Sequence, residues 1–390
     1  MRIVSIRSRV CHAGMRNWVF VRVETDVPGL VGWGEATLEW KTRAVVGAIE
    51  DLAPLLVGAD PRDIEHCYQV LTRHGFWRLG VVGMSAVSGI EIALWDILGK
   101  ALNVPVWRLL GGKCRQYLRV YTHLGMGEMD AVYESFDPVR LAEKAMAVVE
   151  AGYDALKVVC VPYSHYLGDR RQINAVEKAL SGLRQAVGDG VDIMVDFHGR
   201  PASVALAREF IAAAEPARPL FIEEPVPPED LAGHAALTGS CKVPIASGER
   251  LIGRREFVPA ITQRAFDVAQ PDICHTGGLA ETKKIAAACE AAGIGVAPHN
   301  PLGPIAGVAA LHFGASTPNF IIQEEMSGAV PWYDEVVGWP IERRPGRWDI
   351  PDMPGLGIEV NEDAIAAHPF EQEVLHARNA VLDDGTVVDW

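Results

Sequence analysis

From Leu118 onward one unit recurs eight times: a short apolar strand, a loop and a helix. The strand segments are Leu118–Thr122, Tyr153–Val159, Asp192–Phe197, Leu220–Glu223, Val243–Ser247, Val268–Gln270, Gly295–Pro298 and Phe320–Gln323. Helical stretches such as Pro138–Ala151, Ala202–Ala214 and Leu279–Ala292 separate them. Eight such units, each of about 25 to 40 residues, are what a closed parallel (β/α) barrel requires. A doubly wound open sheet is the competing layout, but no glycine-rich dinucleotide fingerprint opens the series.

The block before the repeat has another rhythm. Ile3–Val10, Trp18–Glu24 and Val31–Glu35 read as antiparallel strands, the last following a turn at Pro28-Gly29. From Thr42 to about Leu110 the period is helical, with Ala44, Ile49 and Leu52 on one face and an amphipathic run over Ile90–Leu98. The division expected is therefore an α+β block at 1–117, a barrel at 118–345 and a tail at 346–390 that packs back on the first block. A chain of 390 residues with 49% hydrophobic content has ample core for this.

The barrel strands end on acids. Asp196 ends the third strand, Glu223 the fourth, and the fifth runs into Glu249, at separations of 27 and 26 residues. One strand–helix unit apart, they sit on adjacent strands at the end where barrel active sites lie. Any one of them alone is more often a surface acid paired with Lys or Arg. Three together repel unless a cation neutralises them, and Mg²⁺ suits oxygen ligands with room left for water and substrate. The next strands end in Gln270-Pro271-Asp272, Ala297-Pro298-His299 and Gln323-Glu324. Asp272 beside His299 would orient the imidazole and raise its basicity, making it a general base. His198, two residues beyond Asp196, shares the inward face and could protonate a leaving hydroxyl. A loop histidine bonded to backbone is the plainer alternative.

Net charge is -14 with no basic run, which excludes nucleic acid and anionic membrane surfaces as main partners. It does not exclude an anionic substrate, because a bound cation reverses the local field. Seven scattered cysteines without a Cys-x-x-Cys pair suit reduced thiols and a cytoplasmic protein. The first eleven residues lack a signal-peptide core, and no stretch is expected to approach a membrane span of about 20 apolar residues.

With these residues in order, the sequence resembles the mandelate racemase branch of the enolase superfamily, and within it the galactonate dehydratase-like acid-sugar dehydratases. The likeness runs through Val31-Gly32-Trp33-Gly34-Glu35, Ala93-Leu94-Trp95-Asp96, Asp196-Phe197-His198-Gly199-Arg200, Phe221-Ile222-Glu223-Glu224-Pro225, Ser247-Gly248-Glu249-Arg250, Gln270-Pro271-Asp272 and Ala297-Pro298-His299. It implies a modified TIM barrel with an α+β N-terminal capping domain completed by the C-terminal tail. It also implies Asp196, Glu223 and Glu249 as Mg²⁺ ligands, His299 backed by Asp272 as base, His198 as acid, and Glu324 near the substrate carboxylate. Glu224 is implied as a supporting residue. Cap loops near Met15–Trp18 and Gly75–Gly80 would close over the mouth.

Racemases and cycloisomerases of the branch commonly carry Lys-x-Lys on the second strand, whereas Lys157-Val158-Val159 has an apolar second position. Dehydration of an aldonic acid to a 2-keto-3-deoxy acid is therefore expected, with galactonate the first choice among its epimers. The alternatives are racemisation, epimerisation or cycloisomerisation, and more remotely a non-catalytic sugar-acid binder, which would predict damage to the acids or the dyad. Candidate substrate contacts are Lys157, His123, Trp18, Arg78, Tyr163 and Tyr166, with His165 in the same loop as the tyrosines. The chain is expected to act on a small acid sugar and to form a homo-oligomer.

Overall fold

The structure, a computed structural model, describes residues 1–124, 137–374 and 379–390. Three antiparallel strands open it: β1 (Ile3–Ala13), β2 (Arg16–Thr25) and β3 (Val31–Glu35). Alternation along β2 faces two cores at once. Val19, Val21 and Val23 join a cluster with Val45, Ile49 and Ile90, while Trp18 and Phe20 join one with Ile305, Ala306 and Tyr333. β2 is thus the seam between the first block and the barrel.

The helices of this block are α1 (Thr42–Leu52), α2 (Ile64–Arg73) and α3 (Gly80–Leu102). β3 lies hard against α3, and its glycines make that possible. A Cβ on Gly32 would sit 2.1 Å from the Ala93 carbonyl oxygen, and one on Gly34 2.0 Å from that of Gly89. Contrary to the expectation above, α3 is long and apolar enough to cross a membrane by length and composition, at 23 residues. Its apolar stretch is 72% buried, however, and Glu91 and Asp96 lie within it, so it is a core helix of the cap.

The barrel strands are β4 (Tyr117–His123), β5 (Ala155–Val159), β6 (Asp192–Asp196), β7 (Phe221–Glu223), β8 (Ile245–Ser247), β9 (Val268–Ala269), β10 (Gly295–Val296) and β11 (Gln323–Glu325). All pair in parallel, from β10 through β4 to β11. A parallel bridge between Val296 and Phe320 joins β10 to the approach of β11 and closes the ring. β11 begins later than its apolar run suggested. Phe320 turns outward to pack with Leu118 and Trp348, so the paired segment starts at Gln323 and includes Glu324.

One residue per strand fills the barrel interior: Tyr121, Ala155, Met194, Phe221, Ala246, Val268, Ala297 and Ile322. This apolar layer is the floor of the site. The tail first adds Arg347–Asp349 antiparallel to β4, then crosses to the cap. There Leu356 N donates to Asp96, Glu362 pairs with Arg9 and Arg22, and Glu371 bonds Asn17.

Candidate active site

Side chains two residues apart on a strand share a face, so the layer above the apolar floor can be read by counting. Adding two to each floor residue gives His123, Lys157, Asp196, Glu223, Gly248, Gln270, His299 and Glu324. The floor is wholly apolar apart from the Tyr121 hydroxyl, and the layer above it is wholly polar apart from Gly248. At that one position a glycine with φ 133° turns the chain, and the next residue, Glu249, projects inward instead.

Asp196 and Glu223 are directly paired in register on β6 and β7. With Glu249 they bring one carboxylate oxygen each within 4.8 Å of one another. Burial, with the neighbouring acids, pushes the Glu223 and Glu249 carboxyls up. Burial opposes ionisation of Asp196 too, but His198 and Lys157 overcome it and hold that carboxyl low. Glu249 Oε2 is buried with no hydrogen-bond partner among the described residues, although His299 Nε2 is 3.5 Å away.

Lys157 lies among the acids, 2.7 Å from Glu324 Oε1, 3.1 Å from Glu223 Oε2 and 3.8 Å from Asp196 Oδ2. Burial would lower its pKa, yet Glu223 and Glu324 raise it well above the ordinary value. Arg250 is spent on Glu224. Among the described residues, Lys157 and Arg250 are the permanent cations paired with these acids, against six carboxylates: Asp196, Glu223, Glu224, Glu249, Asp272 and Glu324. An all-oxygen triad with an unpartnered buried oxygen and a shortfall of positive charge fits a hard divalent cation.

His299 Nδ1 lies 2.9 Å from Asp272 Oδ2, and the other Asp272 oxygen accepts from Cys274 N. Donation from Nδ1 leaves Nε2 facing the triad. Burial disfavours the imidazolium, but Glu249 and Asp272 outweigh it and raise the His299 pKa above its ordinary value; a cation held by Glu249 would offset the first of these pulls and favour the neutral imidazole that a base needs. On the opposite side His198, at φ 53°, places Nε2 3.1 Å from Asp196 Oδ2. Glu324 is fixed by Lys157 and by Asn300 N at 2.8 Å. His123 is buried, and desolvation with Lys157 nearby pushes its imidazole down to about 3, so it is neutral.

A cavity of about 410 Å³ opens over this layer. His123, Lys157, Asp196, His198, Glu249, His299 and Glu324 line it. Four expected substrate contacts do not. Trp18 is buried at the seam, its ring edge-on to Tyr333 at 5.5 Å, because alternation on β2 points it there. Arg78 reaches back to the Thr72 carbonyl in a cap loop, whose Phe76 and Trp77 face solvent. Tyr163 lies against the buried Arg200 guanidinium, 4.4 Å away, behind the strand ends. Tyr166 is 59% exposed and packs on His165.

Met15 and Arg16, from the first of the two expected cap loops, line the cavity, and so do residues that the sequence did not mark: Glu39, Trp40, Lys41, His275 and Trp390. Arg16 pairs with Glu39 at 2.6 Å, and His275 sits 3.5 Å from Asp272 Oδ2 with its Nδ1 on Ser85 Oγ. Gln270, in the polar layer, has neither amide atom partnered among the described residues. His275 and Gln270 flank a residue already marked, Asp272, so proximity could have flagged them. Nothing in the local sequence marks Trp390.

Residues 6–111 match the mandelate racemase/muconate lactonizing enzyme N-terminal domain, and residues 140–364 match the enolase C-terminal domain-like family. The chain belongs to the mandelate racemase branch of the enolase superfamily. Among relatives in this branch, the D-galactonate dehydratase of Cronobacter sakazakii is 37% identical over 381 residues, 96% of each chain. That of Klebsiella pneumoniae is also 37% identical over 381 residues, again 96% of each. Among solved structures of the branch, a mandelate racemase/muconate lactonizing enzyme-like protein from a Roseovarius species superposes with a TM-score of 0.89 at 34% identity, covering 96% of this chain and 97% of that one. A mandelate racemase/muconate lactonizing enzyme from a Jannaschia species gives 0.88 at 34% identity, covering 96% and 100%.

Proposed function

We propose that this protein is an acid-sugar dehydratase, a hydro-lyase that takes an aldonic acid to a 2-keto-3-deoxy acid and water. D-galactonate is the first substrate to try, since relatives similar over nearly the whole length carry that activity in their names. The observation that carries the reading is the placement of His299 and His198 in one cavity, on either side of the acid triad.

Asp196, Glu223 and Glu249 would hold Mg²⁺, which supplies Lewis-acid polarisation of the substrate carboxylate. Lys157, kept cationic by Glu223 and Glu324, offsets the negative charge that develops on that carboxylate. His299 Nε2 takes the proton from C2, with Asp272 stabilising the resulting imidazolium through Nδ1. The electron pair left on carbon expels the C3 hydroxyl, to which His198 delivers a proton, so water leaves. The enol then ketonises at C2. Racemisation would need a base on the other face. Val159, the second-strand position that would supply it, is apolar and cannot act as one.

A cytoplasmic setting accompanies this reading, with Cys11, Cys67, Cys160, Cys274 and Cys289 buried as thiols. The test is a panel of stereoisomeric aldonates incubated with enzyme and Mg²⁺, with keto acids assayed by semicarbazide. Turnover of one or a few is expected. Turnover of none, together with racemisation of a simple 2-hydroxy acid, would overturn the dehydratase assignment.

A further inference from the structure

We propose that Trp40 and Trp390 form a two-ring wall that binds the substrate beyond its two reacting carbons, and that this wall takes a hydroxylated carbon chain. The inference rests on the dehydratase reading. Trp40 comes from the loop between β3 and α1, and Trp390 from the tail; both line the cavity. Their rings meet edge to face, 4.7 Å apart at 75°. The Trp390 ring lies 5.3 Å from that of His198, so the wall starts beside the group that meets the departing hydroxyl. Trp40 continues it on the cap side, from the segment between β3 and α1.

Trp40 carries two local costs. Its backbone sits at φ 57°, in the left-handed region a bulky residue seldom occupies. Its indole N–H is buried with no hydrogen-bond partner among the described residues. Strained backbone and an unpartnered donor in one cavity-lining residue point to a role in the site rather than in the packing. A hydroxyl can accept that N–H, while the C–H faces of the chain lie on the rings. Trp390 is delivered by a hairpin, with Val381 bridged to Val387 and Val388 N donating to Ala380 O at 3.0 Å.

The test uses the full chain with Mg²⁺ and two substrates: the six-carbon aldonate the wild type turns over best, and glycerate. Glycerate has the carboxylate, the C2 proton and the β-hydroxyl but nothing to reach the wall. Trp40→Phe, which keeps the ring and deletes the donor, should raise the aldonate KM about 3- to 10-fold with kcat within about 2-fold. Trp390→Ala should lower aldonate kcat/KM by about 10-fold or more, and Trp390→Phe should regain most of it. Glycerate, followed by turnover or by its inhibition of aldonate turnover, should change less than about 2-fold in all three. Unchanged aldonate constants, or equal losses on glycerate, would overturn the wall. A wild type that dehydrates no aldonate would instead overturn the reading beneath it, and the wall with it.

Discussion

The seam between cap and barrel and the mouth of the barrel both bury carboxylates, and they use them in opposite ways. At the seam each acid is saturated with donors. Glu35 accepts from Gly303 N, Ala306 N and Thr37 Oγ1, and Glu91 from Leu279 N, Ala280 N and Trp95 Nε1. Asp96 accepts from Trp33 N, Leu356 N and Lys100. Glu35 and Glu91 thereby cap the helices Pro304–Ser316 and Leu279–Ala291, whose own N-cap residues are Gly303 and Gly278. A Cβ on Gly278 would lie 2.0 Å from Glu91 Oε2, so only glycine admits the foreign cap. At the mouth, Asp196, Glu223 and Glu249 face one another; His198 N and Lys157 donate to the first two, and Glu249 Oε2 has no hydrogen-bond partner among the described residues. Burial therefore does not separate structure from function here. What separates them is that the mouth sets three carboxylates against one another and leaves one oxygen, Glu249 Oε2, without a donor among the described residues.

The largest break between the two sets should come from Glu223→Gln. Activity should fall by about 10³-fold or more, and Mg²⁺ binding followed by calorimetry should weaken, because a ligand is lost. The metal-free unfolding midpoint should hold or rise, since one of three mutually repelling acids is gone. Asp272→Asn should cost about 10²-fold in kcat by disturbing the orientation and basicity of His299, with Mg²⁺ affinity unchanged. Glu91→Ala should do the reverse. Leaving Leu279 N, Ala280 N and Trp95 Nε1 unpaired should cost about 3 kcal/mol of stability in a denaturant titration, with Mg²⁺ affinity at the wild-type level. Equal effects of Glu91→Ala and Glu223→Gln on metal affinity would erase the distinction. Tyr166→Phe, outside both sets, should leave kcat/KM within about 2-fold in the same aldonate assay.

Which parts of this were legible follows from period. Asp196, Glu223, His299 and Glu324 stand two residues above an apolar floor, so strand alternation sets their direction and the repeat sets their height. Asp272 and Glu249 lie just beyond their strands and were legible by adjacency. Loops have no such period, so chemistry alone marks Tyr163, Tyr166 and Arg78, and none of them lines the cavity. Trp18 does lie on a strand, but β2 has a core on both sides, and composition could not tell which core a tryptophan fills. Glu35 reads only as part of a motif and Glu91 only as part of an amphipathic run, because their partners lie 268 and 188 residues away. Trp390 reaches the site through the tail's path over the cap, which no local pattern encodes.

The central claim is that His299 removes the C2 proton at a site built around the acid triad. It is tested most directly in D₂O with Mg²⁺ and the aldonate turned over best, by following the C2 proton by NMR in wild type and His299→Asn. The wild type should form keto acid, and the variant neither product nor C2 exchange, while circular dichroism and Mg²⁺ affinity stay unchanged. C2 exchange at the wild-type rate in His299→Asn would contradict it.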